Sequence, residues 1–171
     1  MDIDWPQIAA CRANSALAEH DFRFIFLDVE SDMYNPRGAE QASSPRFPFA
    51  DGEFDVVFLM SVFTHMFPSE CENYAREIMR VLAPGGRAVV SAFLHDVEWA
   101  TQFWTFSHQQ GDMWIQFPTN PRKAVSQDQQ VLERWFGQPA DRRVLGNWRR
   151  SEPAAGHDYQ DWLIWVKHGD S

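Results

Sequence analysis

Two cysteines, Cys11 and Cys71, are all that 171 residues contain, too few for a disulfide framework or, alone, for a metal site. Both fall in helical patterns beside apolar neighbours, where a free buried thiol is the usual state. No apolar run reaches the length that crosses a bilayer, and Met1-Asp2-Ile3-Asp4 does not open a signal peptide. Internal repeats and low-complexity tracts are absent too. Positive charge is scarce: 15 Lys and Arg stand against 24 Asp and Glu, a formal net charge of −9. Arg142, Arg143, Arg149 and Arg150 come nearest to a basic patch, but they are too dispersed for a nucleic-acid footprint. Nucleic acid and membrane are therefore disfavoured as partners, and a soluble, cytoplasmic protein is expected.

What is present is ordinary in amount and unusual in kind. The chain is 44% hydrophobic and 23% charged, close to the globular average. Its length suits one domain that buries roughly two-thirds of its unfolded surface. Eight Trp and fourteen Phe lift the aromatic share to 15%. Such enrichment arises from a deep apolar cleft or, more commonly, from a bulky core.

One stretch organises the rest. Residues 54–92 hold an apolar run, a polar break with a histidine, a helical pattern, Pro84-Gly85-Gly86 and a second apolar run. The spacing predicts a strand over 54–60, continuous enough to be parallel and covered on both faces. Ser69 with Glu72 reads as a capping box at the start of a helix. Pro84-Gly85-Gly86 reads as its stop, leading into a strand over 87–93. Strand, helix and strand with short joins require a parallel crossover.

Upstream, Asp4-Trp5-Pro6 opens a helix running through His20. Residues 22–27 read as a strand ending at Asp28. Residues 30–52 form a long loop, functional or partly mobile, with Phe47-Pro48-Phe49 tacking it to the core. Downstream, 97–110 reads as a helix and 111–122 as a loop over the sheet. Ser126 with Gln129 forms a second capping box, and Gly137 ends that helix. Residues 142–147 and 159–167 read as an antiparallel hairpin with a long loop. The whole is an α/β, doubly wound, mostly parallel sheet with an antiparallel carboxyl-terminal hairpin. Ligands on such sheets sit beyond the strands' carboxyl ends. Those ends are Asp28-Val29, Met60-Ser61 and residues 92–96.

Asp28 at such an end is either a ligand-facing acid or a solvated turn carboxylate. His65, just past Met60-Ser61, suits a general base for an acceptor hydroxyl; its alternative is a histidine bonded within the loop or holding the next helix. His95, Asp96 and Glu98 lack a third well-placed ligand for a metal, which leaves pocket lining. Trp99, Phe103, Trp104, Phe106, Trp114 and Phe117 either roof an apolar acceptor pocket or pack as a lid on the sheet.

Four pieces, taken in order, resemble the class I S-adenosylmethionine-dependent methyltransferases. They are Asp2-Ile3-Asp4 before a helix, Leu27-Asp28-Val29, the 54–92 stretch with its Phe54-Asp55-Val56-Val57 and Leu82-Ala83-Pro84-Gly85-Gly86, and Tyr159-Gln160-Asp161. The resemblance covers almost the whole chain. It implies a Rossmann-like sheet of order 3-2-1-4-5-7-6 and S-adenosylmethionine as cofactor. It assigns Asp2 to the ribose hydroxyls, Ile3 to the adenine face, Asp28 and Val29 to the adenine edge, and Met60 and Ser61 to the methionine arm. His65 becomes the candidate catalytic residue, no metal is implied, and the partner is a small-molecule acceptor.

The resemblance also implies a strand, a Gly-x-Gly-x-Gly turn and a helix ahead of Asp2, and no such turn occurs in these residues. The chain is therefore expected to be a single methyltransferase-like domain over 1–171, truncated at its amino end. Loss of the central strand would impair cofactor binding and bare an apolar sheet edge, open to self-association. The alternative is a non-catalytic binding or interaction module built on the same fold.

Overall fold

The computed structural model describes residues 1–95, 104–149 and 159–169. The chain divides into two compact units, Met1–Pro45 and Arg46–Ser171.

In the first unit the expected helix is broken in two. Helix α1 spans Trp5–Ala13 and α2 spans Ser15–Ala18. Asn14 between them is extended, and its side chain accepts from the Ala16 N–H. An Asn beside a Ser offers the backbone that alternative to continuing the helix. Asp4 caps α1 with Pro6 in its first turn, as expected, and Ile8 is its buried contact. Residues 22–27 do not form a strand. Phe26 makes only a parallel bridge with Asp2, through Asp2 N–H to Ile25 O at 3.0 Å and Leu27 N–H to Asp2 O at 2.9 Å. Trp5 meets Phe26 edge-on at 5.4 Å, and the Arg12 guanidinium donates to Phe24 O. The chain after Asp28 doubles back, pairing Val29 with Glu40.

The second unit is a sheet packed against helices. Strand β1 is Phe54–Leu59 and β2 is Leu82–Leu94; helix α3, Pro68–Val81, joins them. β1 and β2 pair in parallel, with Val56 opposite Arg87 and Leu59 opposite Val90. Three short strands follow: β3 His108–Gln110, β4 Met113–Ile115 and β5 Val125–Gln127. Helix α4 is Gln129–Phe136, and β6 (Arg142–Val144) and β7 (Asp161–Val166) complete the set. The order is β3-β4-β5-β2-β7-β6, with β1 also on β2. β7 runs antiparallel to both β2 and β6, so β1-β2-β7-β6 matches the 4-5-7-6 half of the expected order.

Several local expectations need correction. Helix α3 starts at Pro68, where the ring presets φ at the first helical position. Its cap residue is Phe67, not Ser69, and Glu70 rather than Glu72 reaches back to the Phe67 N–H at 2.7 Å. The helix ends at Val81, before Pro84-Gly85-Gly86, which lies within β2 and pairs with Lys167. Gly86 is required there: a Cβ would stand 2.8 Å from Ala83 O and 3.0 Å from Phe54 O. Asp128, not Ser126, caps α4, because Ser126 belongs to β5. His108–Gln110 is strand rather than helix, and Met113–Ile115 is strand rather than loop; residues 97–103 of the expected helix lie outside the described residues.

The core lies between the sheet and the helices α3 and α4. Ala88, Val90, Leu163 and Trp165 are fully buried there with Ile78 and Leu132, and Trp165 stacks on Phe136 at 3.9 Å. On the opposite face β1 is exposed, contrary to the expectation that it is covered on both faces. Val56, Phe58 and Met60 are 55%, 58% and 65% exposed, although Phe58 stacks on Trp162 at 5.4 Å. Cys71 is fully buried, as expected, and burial pushes its thiol pKa up. Cys11 is only half-buried.

Arg80 ties the segment before β1 to α3. It pairs with Glu77 at 2.7 Å and Asp51 at 2.6 Å and donates to Phe47 O and Phe49 O. Phe47 is buried against Tyr74 at 5.1 Å, the anchoring expected of it. Hydrogen bonding to Arg80 holds the Glu77 carboxyl pKa below its ordinary range. The folded state then binds fewer protons than the unfolded one around that range, so stability rises with pH through it. This contribution is complete above the unfolded value, about 4.3, and is lost as pH falls through the lower folded one. Urea unfolding of Glu77→Gln against wild type should show a loss of stability at pH 7 that shrinks steadily on acidification below that window.

Candidate functional site

The carboxyl ends of β1 and β2 carry a polar cluster. β1 ends at Leu59 and the chain turns at Ser61, whose φ is +58°. A non-glycine residue in that left-handed region is uncommon. Ser61 N–H donates to Ser91 Oγ at 2.8 Å, and Ser91 Oγ–H donates to Gln160 Oε1 at 2.7 Å. Gln160 Nε2 returns to Ser61 Oγ at 2.8 Å. Met60, beside this turn, presents its side chain to solvent.

A 3-10 turn, Phe63–His65, follows. Phe63 and Thr64 are buried, so the turn is seated rather than hanging at the rim. His65 Nδ1 lies 2.8 Å from Arg122 O. A carbonyl can only accept, so Nδ1 bears the proton and the neutral ring's lone pair sits on Nε2. The Arg122 guanidinium grips Glu70 with two bonds of 2.7 Å and covers the Phe67 ring at 4.0 Å. Glu70 thus serves both the start of α3 and the segment that holds His65. His65 is thus tied to the segment whose Arg122 grips α3.

At the start of β7, beside β2, Asp161 is a fully buried carboxylate that accepts from Leu94 N–H (3.0 Å), Gly146 N–H (2.9 Å) and Trp148 Nε1–H (2.8 Å). Three donors stabilise its charge in place of water. Phe93, Phe106 and Trp148 pack around this end with Trp104 and Phe117. Trp104 Nε1–H donates to the Tyr159 hydroxyl. These rings fill one another's space, the packed arrangement rather than an open roof. His95 lies flat on Trp114 at 3.9 Å. Asp96, Glu98, Trp99 and Phe103 lie outside the described residues. Among the described residues no three His, Cys, Asp or Glu side chains could hold a metal together, and no helix is long and apolar enough to cross a membrane.

In the first unit, Asp2 and Asp28 both expose their carboxylates. Asp2 Oδ1 accepts from Asp4 N–H at 2.9 Å, and Asp28 Oδ1 accepts from Asn35 Nδ2 at 3.1 Å. Val29 is buried behind Asp28, and Ile3 is half-buried. Burial, with Asp2 and Asp4 nearby, raises the Tyr34 pKa. Two acceptor-only carboxylates at the first unit's edge have the chemistry that a vicinal diol and an exocyclic amine call for. The residues present therefore fit an adenosine moiety.

Ser61 and His65 stand at the strand ends as the sequence pattern predicts. Ser91, Gln160, Asp161 and Arg122 were not singled out as site residues. Tyr159-Gln160-Asp161, two polar side chains entering an apolar strand, is the signal that marks two of them.

The sequence model of the methyltransferase-domain family matches residues 1–90. Tocopherol O-methyltransferase, chloroplastic, from Arabidopsis thaliana is 42% identical over 48 residues, which span 28% of this chain and 13% of that protein. A SAM-dependent methyltransferase from Methanosarcina mazei superposes with a TM-score of 0.55 at 16% identity, over 99% of this chain and 81% of its own. The PH0226 protein from Pyrococcus horikoshii OT3 does so with a TM-score of 0.54 at 14% identity, over 98% and 69%. At such identities the two structures establish the fold.

The buried Asp161 gives this region a direct test. Asp161→Ala strands three buried donors at about 1–3 kcal/mol each, so the loss should be roughly 3 kcal/mol or more. Urea unfolding measures it, and a change under 1 kcal/mol would mean that water replaces the carboxylate.

With the family's sequence match over more than half its length and the β1-β2-β7-β6 order beneath it, the chain belongs to the methyltransferase-domain family, on the Rossmann-like fold of its S-adenosylmethionine-dependent members.

Proposed function

We propose that this chain transfers a methyl group from S-adenosylmethionine to a small-molecule acceptor once a glycine-rich strand–turn–helix is supplied, and only weakly without it. The observation that carries the reading is the strained Ser61 turn at the carboxyl end of β1, because such strain is retained where surroundings over-determine it, most often at ligand sites. The cofactor's sulfonium brings an already activated methyl group, so the protein's main task is proximity and alignment. Asp2 would accept from the ribose hydroxyls with Ile3 against the adenine. Asp28 would take the adenine amino group beside Val29. Met60 and Ser61 would line the methionine arm. His65, with its proton on Nδ1, would accept the acceptor hydroxyl's proton at Nε2. The net charge of −9 favours a small or cationic acceptor over a polyanion. The two free thiols suit a cytoplasmic setting.

Calorimetry with S-adenosylhomocysteine on the 171-residue chain and on an upstream-extended version tests this. Binding by the extended form alone is expected, and binding by neither would reject it. In the binding form, Asp28→Ala should weaken affinity by roughly 1.5–3 kcal/mol, as for a hydrogen bond to a charged group. An unchanged affinity would return Asp28 to a solvated turn.

The bare face of β1 favours a second reading, a module that associates through this strand. Val56, Phe58 and Met60 are each more than half exposed, and β1 pairs with β2 alone among the described strands. Under this reading sedimentation finds a dimer or larger species at micromolar concentration, which Phe58→Lys reduces to monomer. A monomeric wild type would reject it.

A further inference from the structure

Ser61 holds a conformation that its own side chain disfavours, and three elements hold it there. Ser91 is fully buried near the carboxyl end of β2. Gln160 immediately precedes β7. Together with Ser61 they close a ring of three hydrogen bonds, 2.7 to 2.8 Å long, joining residues 30, 69 and 99 positions apart. Polarity is consistent around it: the Ser61 amide meets the Ser91 oxygen, the Ser91 proton meets the Gln160 carbonyl, and the Gln160 amide meets the Ser61 oxygen. Thr64 completes the arrangement. Its Oγ1 lies 3.0 Å from Ser61 Oγ and donates to Ser61 O at 3.0 Å. Both the backbone N–H and the carbonyl of the left-handed residue are thereby bound. A fixed side-chain network of this kind, partly shielded from water, is stiffer than its separate bonds.

We propose that Ser91 and Gln160 are positioning residues of the methyl-transfer site. They lock Ser61 left-handed and so fix the direction in which the chain leaves β1 and presents residues 60–65. The inference rests on the methyl-transfer reading for its purpose, but not for its mechanics. Neither residue need touch a ligand. Without the ring, residue 61 relaxes toward negative φ, and Met60 and His65 lose their common frame. The backbone of Gly146 packs against that of Gln160 so closely that a Cβ at position 146 would overlap it.

The test contrasts two substitutions at one position. Ser61→Ala removes the ring yet keeps the Cβ that disfavours positive φ, whereas Ser61→Gly removes both, because glycine adopts that region freely. Affinity for S-adenosylhomocysteine, measured in the form that binds it, should fall roughly five- to thirtyfold in Ser61→Ala, Ser91→Ala and Gln160→Ala. It should recover most of that loss in Ser61→Gly and in Gln160→Ala/Ser61→Gly. A role confined to general stability would give no such recovery, so equal weakness of the Gly and Ala variants overturns the proposal. Amide hydrogen exchange supplies a reading independent of cofactor. The Ser61 amide should exchange at least tenfold faster in Gln160→Ala while the Val90 amide in β2 is unchanged, and an unaltered Ser61 rate also overturns the proposal. If no form binds S-adenosylhomocysteine, the methyl-transfer reading fails and the exchange rates alone decide whether the ring sets the turn.

Discussion

Backbone pairing along β2 is the constraint on which the second unit depends. Its thirteen residues take β1 in parallel, β7 antiparallel and, at the far end, β5 in parallel. Register along one strand therefore decides where every other strand stops. Because Leu59 sits opposite Val90, the turn after β1 arrives level with Ser91. Because Ala92 sits opposite Asp161, Gln160 just before it comes within side-chain reach of Ser91 from the other side. The polar ring follows from strand register, and one residue's slip in either strand would turn its members to the opposite face.

The same register separates two kinds of surface. One face of the sheet packs α3 and α4 and is closed by Trp165, Leu163 and Val90. The other shows Val56, Phe58 and Met60 to water. At the carboxyl edge the polar groups change character along β2, from the Ser61 ring to the buried Asp161 and then to stacked aromatics. The hydroxyls and amide of the ring are only partly shielded, whereas Asp161 has exchanged water for three fixed donors. Flexibility at this edge is thus confined by hydrogen bonds rather than by bulk alone.

How much of this was legible depended on how local each signal is. The β1-α3-β2 unit could be read because apolar runs and a helical stripe declare themselves within a few residues. Gly137 as a helix stop could be read for the same reason, and it is left-handed at φ +74°. The small strands β3 and β4 were missed although Gly111-Asp112 between them is a two-residue hairpin turn; His108-Gln109-Gln110 has no apolar alternation to support it. Capping at Ser69 and Ser126 was misread because Pro68 and Asp128 are better suited to their places. Phe22-Arg23-Phe24 has strand chemistry, but only the bridge of Phe26 with Asp2 forms there. Of the site, Ser61 and His65 were visible as polar residues breaking an apolar run. Ser91 and Gln160 were not, since their meaning lies in contacts 69 and 99 residues distant along the chain.

The placement of the indoles makes the two units optically distinct. Trp5, half exposed against Phe26, is the first unit's single tryptophan; the other seven follow Arg46. Trp165 stacked on Phe136 and Trp148 donating to Asp161 sit in dry, rigid surroundings, which shift indole emission to the blue and give near-ultraviolet dichroism. Intrinsic fluorescence of this protein is therefore almost wholly a report on residues 46–171. The order of Met1–Pro45 can change with little optical trace unless Trp5 is observed alone.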